Sequence, residues 1–178
     1  GYETMFFYGR NDASVPTRDN EVCFGSKWQI VSSGIKARLL DNEGLNAHRA
    51  TERLIRQIKA FDPNIIHLHN LHGYYLNFEV LFAFLKDNFK GRVVWTLHDC
   101  WAFTGHCAYF SAHGCNRWMT ECFNCPQKKQ YPSSLFVDNS KKNYAKKKWS
   151  FCGLPRLTLI TPSSWLRSLL KDSFLKGY

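Results

Sequence analysis

Long apolar segments are missing from this 178-residue sequence. No run of about 18 apolar residues occurs, so the sequence predicts no transmembrane helix. No charged-then-apolar signal segment opens the chain, and no internal repeat or low-complexity tract is present. The composition, with 44% hydrophobic and 21% charged residues, is typical of a globular domain with one apolar core rather than of a disordered chain.

Acidic residues are scarce, because 14 of them face 24 basic residues and leave a formal net charge of +10. A balance of this kind attracts phosphate, whether in nucleic acid, in anionic lipid head groups or in a nucleotide-bearing substrate. The charge alone does not distinguish these partners. It is also compatible with a protein that is merely basic.

An initiator methionine is absent as well. The chain opens on Gly1 and Tyr2, and it stops at Tyr178 without a clear terminal cap. We therefore expect the sequence to be a fragment of a longer protein.

The cysteines do not follow the pattern of a secreted disulfide framework. Their number is odd, at seven, and five of them lie between positions 100 and 125. This distribution favours a reduced cytosolic compartment, with either a local metal site or free thiols. The seven residues are Cys23, Cys100, Cys107, Cys115, Cys122, Cys125 and Cys152.

Strand and helix signals alternate along the chain. Strands are predicted at Glu3–Tyr8, Asn64–Leu68, Arg92–Leu97 and Arg156–Thr161, with a weaker one at Lys27–Val31. Helices are predicted at Leu45–Phe61, Leu76–Phe89 and Asn139–Trp149, and after the N-cap Ser163. The stretch from Arg10 to Lys27 is predicted to be a loop. This order predicts an α/β fold with a Rossmann-like, doubly wound parallel sheet whose strands are apolar on both sides.

A long stretch without periodicity follows the Arg92–Leu97 strand, and we treat residues 100–139 as a cysteine-rich insert. Cys107, Cys115, Cys122 and Cys125 have the spacing C-x7-C-x6-C-x2-C. Four thiolates suit tetrahedral zinc, and a zinc ion would explain how an irregular insert keeps its shape. His106 or His113 could replace one cysteine. The alternative is a set of reduced cysteines packed as small apolar residues.

Polar side chains follow two neighbouring predicted strands at the points where the strands end. His69, Asn70, His72 and Gly73 follow the first of them, and His98 and Asp99 follow the second. In open α/β sheets, ligands bind at the carboxyl ends of the strands. Imidazole and amide groups can bond sugar hydroxyls there, and a glycine lets the backbone turn or approach a ligand closely. Each histidine taken alone could instead bond a neighbouring loop.

The predicted helix Asn139–Trp149 is basic and ends beside aromatic residues. Its lysines are Lys141, Lys142, Lys146, Lys147 and Lys148, and Trp149 and Phe151 follow them. A basic helix with flanking aromatics could rest on an anionic membrane surface. A solvated helix face would have the same composition.

Four segments occur in a characteristic order over roughly residues 45–178: HLHNLHGYY, TLHDCWAFTGHC, CPQ and TPSSWL. Together they resemble the N-terminal domain of bacterial glycosyltransferases of family 4, which have the GT-B fold. Within that family, the resemblance is to the group that builds capsular or extracellular polysaccharide.

The resemblance implies a retaining hexosyltransferase that needs no catalytic metal. A nucleotide-sugar donor would bind between two Rossmann-like domains, and a lipid-linked or saccharide acceptor would sit mostly on the N-terminal one. Residues 1–178 would then be part of the acceptor-side domain, with the donor-binding domain missing and the fragment inactive alone. The enzyme would be cytoplasmic and peripheral at the inner face of the membrane. The family's glycine-rich loop after the first strand is absent.

The resemblance also assigns roles to individual residues. His98 corresponds to the family histidine that contacts the donor sugar near the reacting centre, and it is the predicted catalytic residue. His69, Asn70 and Gly73 would help to form the wall of the cleft.

Two other interpretations remain open. A zinc-containing nucleic-acid-binding module is suggested by the charge, the cysteine cluster and the 16% aromatic content. Against it, no zinc-finger helix spacing appears and the basic residues are spread rather than striped, so the leading interpretation expects no nucleic-acid partner. A purely structural or interaction domain with a metal-stapled loop is the third.

Overall fold

The computed structural model describes residues 1–10 and 18–178. The fold is α/β, and its strands pair in parallel in two separate sheets. One sheet pairs β1 (Phe6–Tyr8) with β2 (Glu21–Cys23). The other has the order β3 (Ile65–Leu68), β4 (Arg92–Thr96), β5 (Leu157–Ile160). Parallel sheets are compatible with the predicted Rossmann-like fold. In the three-stranded sheet, β4 lies between β3 and β5.

Five α-helices are present among the described residues. They are α1 (Lys27–Leu40), α2 (His48–Phe61), α3 (Phe78–Asp87), α4 (Ser140–Phe151) and α5 (Ser164–Asp172). The segment between β4 and α4 contains three short 3-10 turns, at Trp101–Phe103, Ser111–His113 and Arg117–Met119. The absence of periodicity in this stretch of sequence therefore corresponds to irregular structure.

The region before residue 41 differs from the sequence prediction. The strand predicted at Lys27–Val31 is wrong, because these residues form the first part of α1. Ser26 caps that helix, since its backbone is extended and its hydroxyl accepts a hydrogen bond from the Gln29 N–H. The loop predicted from Arg10 to Lys27 is also wrong at Glu21–Cys23, which pairs with β1. The part of that loop at residues 11–17 lies outside the described residues.

The later helices agree better with their sequence signals. Helix α2 ends at Phe61, and its C-cap Asp62, immediately before Pro63, adopts the left-handed conformation. Ser163 caps α5 as predicted, since its side chain accepts from the Leu166 N–H at 3.2 Å. Local cap chemistry thus set these boundaries.

The prediction that the strands are apolar and buried on both sides is wrong for the two outer strands. Ile65 and His67 of β3 are exposed, and so is Ile160 of β5. Only β4 has neighbours on both edges, with Val93 and Trp95 buried. The outer strands therefore keep one side open along the described part of the chain.

An aromatic cluster joins α3 and α4 to the central strand. The Phe82, Trp95 and Phe151 rings have centroid separations between 4.6 and 5.5 Å. Phe151 is fully buried, so its predicted place beside a membrane-facing lysine run is wrong. The cluster fixes β4, and with it the residues that follow the strand.

None of the helices in the described ranges combines the length and the apolar character needed to cross a membrane.

Candidate functional site

Two histidines meet where β3 and β4 end. The register pairs Leu68 with Trp95, so the residues that follow, His69 and His98, leave the sheet side by side. His69 Nδ1 lies 3.0 Å from His98 Nε2, and the rings stack with centroids 5.3 Å apart. Both side chains are exposed. The structure therefore brings the predicted catalytic histidine and a predicted wall residue into one hydrogen-bonded pair at the surface.

A third histidine extends this pair. His67 lies on the same face of β3 as His69, with ring centroids 4.3 Å apart, as alternation along a strand requires. Its Nε2 is 2.8 Å from Thr96 Oγ1 on β4. We call His67, His69 and His98 the histidine row.

The chemistry of the histidine row favours neutral imidazole at its centre. Partial burial lowers the pKa of His69, and the positive charges of His67 and His98 lower it further. A neutral ring keeps one donor and one acceptor nitrogen, and a sugar hydroxyl needs both kinds of partner.

His72 and Asp99 form a second pair beside the row. His72 Nε2 is 2.9 Å from Asp99 Oδ2, and His72 Nδ1 is 3.2 Å from the hydroxyl of Tyr131. The Trp101 N–H donates to Asp99 Oδ1 at 2.8 Å. Burial acts to raise the pKa of Asp99, but these hydrogen bonds and the charge of His72 outweigh it and keep that pKa below its usual value. Asp99 is therefore an ionised carboxylate, fixed by these hydrogen bonds, that orients the His72 ring.

Gly73 turns the chain beneath this pair. Its φ of +118° is in the region that favours glycine, and a Cβ there would come within 2.8 Å of the Tyr75 ring. Its N–H donates to Glu43 Oε1 at 3.2 Å, and its carbonyl accepts from Arg10 at 2.8 Å. The positive φ of Gly73 fits the backbone turn that a glycine allows at this strand end, and its part in ligand binding stays a prediction.

Asn70 is exposed next to His69, and the Tyr75 hydroxyl donates to its backbone carbonyl at 2.5 Å. Burial raises the pKa of Tyr75 to about 12, so the phenol stays a donor. The loop from 69 to 75 is thus tied to itself, which presents the Asn70 side chain at the surface.

Glu43 is a site residue that the sequence interpretation missed. It lies in the loop between α1 and α2, is 7% exposed, and has an Oε2 without a hydrogen-bond partner among the described residues. Burial raises the pKa of Glu43, while His72 and Lys147 act to lower it. An acidic residue directly before Gly44 in a short interhelical loop was the signal available in the sequence.

Lys147 was missed for a different reason, because it stands in a run of lysines that resembles a solvated face. The structure buries it, with its Nζ donating to the Trp101 carbonyl at 2.7 Å. It lies on the face of α4 that also buries Tyr144 and Phe151, three residues before and four residues after it. That helical spacing was the available signal.

The remaining lysines of α4 differ in whether they form an ion pair with another described residue. Lys146 forms an ion pair with Glu79 at 2.7 Å, and Lys141 one with Glu121 at 3.3 Å. Lys142 and Lys148 are exposed beside Trp149, which is 70% exposed. The basic surface is therefore smaller than the sequence suggests, which weakens the case for both a membrane-facing and a nucleic-acid-facing helix.

A cavity of about 800 Å³ lies at the opposite edge of the three-stranded sheet. Its walls come from the amino ends of the strands and the turns before them, including Asn64, Lys90, Gly91 and Arg156. Open α/β sheets bind ligands at the carboxyl ends of their strands. We therefore place the candidate site at the histidine row and not in this cavity.

The four predicted metal-binding cysteines, Cys107, Cys115, Cys122 and Cys125, all line one small cavity in the segment between β4 and α4. His106 lines it too, whereas His113 instead hydrogen-bonds Gln127 at 2.7 Å. As they stand, no three or more His, Cys, Asp or Glu side chains in the described ranges form a group that could hold a metal ion.

Comparison with known proteins finds one partial similarity and no match to a family model or solved structure. Part of the chain is similar to WcaC of Escherichia coli strain K12, whose name assigns it provisionally to the glycosyl transferases of colanic acid biosynthesis. The two are 43% identical over 74 residues. The match covers 39% of this chain and 18% of WcaC, so it spans less than a fifth of that protein.

Proposed function

We propose that this chain is the acceptor-side N-terminal domain of a nucleotide-sugar-dependent glycosyltransferase of cell-surface polysaccharide biosynthesis. The observation that carries the proposal is the pair of His69 and His98 at the carboxyl ends of adjacent parallel strands. The similarity to WcaC supports the class of reaction. The motifs in the sequence support the finer assignment to family 4 and the GT-B fold.

The histidine row supplies the contacts that a sugar needs. Within the His69–His98 pair, each ring uses one nitrogen and keeps the other for a hydroxyl. In the proposed enzyme, His98 contacts the donor sugar near the reacting carbon and is the catalytic residue. His69, Asn70, His72 and Asp99 form the wall of the cleft, and Gly73 lets the backbone turn beneath them.

Hexosyl transfer with retention passes through an oxocarbenium-like state. Such a state needs the hydroxyl groups to be positioned and the leaving diphosphate to be stabilised. The histidines of this chain perform the positioning. We propose that the diphosphate is held by a second, donor-binding domain, and that no metal ion takes part in the chemistry.

The proposed acceptor is a saccharide or a lipid-linked saccharide. A lipid-linked acceptor would hold the enzyme at the cytoplasmic face of the membrane. Lys142, Lys148 and the exposed Trp149 offer a small basic and aromatic surface for contact with anionic lipid.

A transfer assay on the full-length protein that contains this chain tests the proposal. Individual nucleotide sugars are supplied with an extract of membrane lipids and oligosaccharides, and the release of nucleoside diphosphate is followed. We expect acceptor-dependent release with one or a few donors. The anomeric configuration of the product, determined by NMR, separates retention from inversion.

Two results would contradict the proposal. One is the absence of acceptor-dependent release with every donor tested. The other is tight binding of the protein to duplex DNA with a steep salt dependence, which would favour the nucleic-acid-binding alternative.

A further inference from the structure

The segment between β4 and α4 contains a second centre, separate from the histidine row. Its cavity is small, with about 20 Å³ of accessible space, roughly enough for a single small occupant. Cys107, Cys115, Cys122 and Cys125 all line it, although they are spread over 19 positions of an irregular chain. Four cysteines that line one small cavity supply the type and number of ligand that tetrahedral zinc takes.

Backbone N–H groups donate to two of these sulfur atoms. The Gly105 N–H donates to Cys122 Sγ at 3.2 Å, and the Gln127 N–H donates to the sulfur of Cys125. A side chain at Gly105 would collide with the Ser140 carbonyl and with Cys122, so the close approach of this backbone depends on glycine.

Three buried polar groups around the cavity have no partner within the described part of the chain. They are His106 Nε2, Ser140 Oγ and Trp118 Nε1, and their residues are at most 3% exposed. Leaving such groups unpaired costs about 1–3 kcal/mol each. Zinc-bound thiolates accept hydrogen bonds, and so they would supply the missing partners.

His106 is fixed in a way that suits a metal centre. Its Nδ1 hydrogen-bonds Asp41 Oδ1 at 2.5 Å, and the residue lines the cysteines' cavity. Asp41 also accepts from the Asn139 N–H at 2.7 Å. Histidines beside metals commonly have a carboxylate on their second nitrogen, which fixes the orientation of the ring.

We propose that Cys107, Cys115, Cys122 and Cys125 bind one structural zinc ion, with His106, Ser140 and Trp118 as hydrogen-bond donors around the bound thiolates. The sulfur atoms do not stand in a finished coordination sphere. Binding of the ion therefore requires the four cysteine side chains to turn toward one another by rotation about their side-chain torsions. The ion holds the irregular segment in place, and this role is independent of the proposed sugar transfer.

Elemental analysis tests the proposal. The untagged full-length protein is expressed with zinc, dialysed against a weak chelator and analysed for metal. We expect about one zinc per chain. Cys122→Ser and Cys125→Ser are expected to lose most of it, while the matched control Cys152→Ser, whose thiol contacts the Phe174 carbonyl far along the chain, keeps it. His106→Gln is expected to retain the ion.

Two measurements on the unmodified protein keep the test valid if the variants fold poorly. Cobalt substituted for zinc should show the strong visible absorption of a tetrahedral thiolate site. Zinc should also slow alkylation of Cys107, Cys115, Cys122 and Cys125, as located by mass spectrometry, and leave the rate at Cys23 unchanged.

The proposal is overturned by metal-free protein with native structure. An adventitious ion only, which is lost on dialysis with no change in thiol alkylation, overturns it equally. Loss of zinc from His106→Gln together with its retention in Cys115→Ser would overturn the four-cysteine ligand set in favour of three cysteines and a histidine.

Discussion

The ammonium group of Lys147 lies 3.6 Å from the centroid of the Trp101 ring and donates to the carbonyl oxygen of the same residue. Lys147 thus contacts both the ring and the backbone of Trp101, the first residue of the 3-10 turn that follows Asp99. Burial lowers the pKa of Lys147 to about 8, although Glu43, Cys122, Cys107 and Asp99 act to raise it.

Replacement of Lys147 by methionine should change how stability depends on pH. An unfolded lysine has a pKa of about 10.4, so between about pH 8 and 10 the unfolded chain binds more protons than the folded one. The free energy of unfolding of the unmodified protein should therefore rise with pH in this window relative to that of Lys147→Met. Urea unfolding at several pH values measures the difference in the free energy of unfolding between the two proteins. A difference that stays constant or falls between about pH 8 and 10 would contradict a lowered pKa of Lys147 in the folded state.

In the proposed full-length glycosyltransferase, His98→Ala should lower the rate of sugar transfer by at least ~100-fold, the scale of losing one preorganised polar contact in a transition state. The matched control is His48→Ala. His48 is an exposed histidine on α2, and among the described residues its only ion pair is with Glu52. Its transfer rate should stay within about twofold of the unmodified enzyme's. Near-normal turnover of His98→Ala would remove this histidine from the mechanism.

The His69 ring should titrate below the value of about 6.5 that is usual for histidine. Removing a positive neighbour should raise its midpoint, so His67→Gln and His98→Gln are both expected to move it upward. Two-dimensional NMR of the imidazole protons over pH 4–8 follows the titration. A midpoint above that of free histidine, or a downward shift in either variant, would show that the rings do not interact as the structure describes.

Gly73→Ala should destabilise the protein by about 1–3 kcal/mol, since the position has a φ that alanine rarely adopts. The new methyl group would also press on Tyr75, which holds the Asn70 carbonyl. Gly114→Ala is the control, because its φ is also positive but no atom lies within 4 Å of the added carbon. Thermal unfolding of both variants measures the difference, and equal losses would mean that the contact with Tyr75 has no weight.

Sequence reasoning succeeded where caps and strand ends decide the structure. Ser163 and Pro63 marked the limits of helices, and the polar residues after two apolar strands converged because parallel strands end at one edge. It failed at α1, where Trp28, Val31 and Ile35 are exposed, so that the apolar residues do not trace a buried helix face. The cap at Ser26 was the better signal there.

The partners of the site residues were harder to predict. Tyr131 reaches His72 from 59 positions away, and it lies in a segment without periodicity. Lys147 and Glu43 are charged residues in polar stretches, and only the folded packing buries them. Composition and local spacing do not record contacts of this range, so the weak local signals at Glu43 and Lys147 did not indicate which residues they would contact.

Trp95 contacts both the hydrophobic core and the candidate site. Its ring packs on Phe82 and Phe151, while its indole N–H holds the His69 carbonyl at 3.1 Å. A substitution that repacks these rings would shift the backbone that carries His69. In the proposed enzyme, attempts to change the sugar specificity by laboratory evolution should therefore concentrate on the loop residues Asn70 and Tyr131, since substitutions among the packed rings of Phe82, Trp95 and Phe151 would reduce the amount of folded protein.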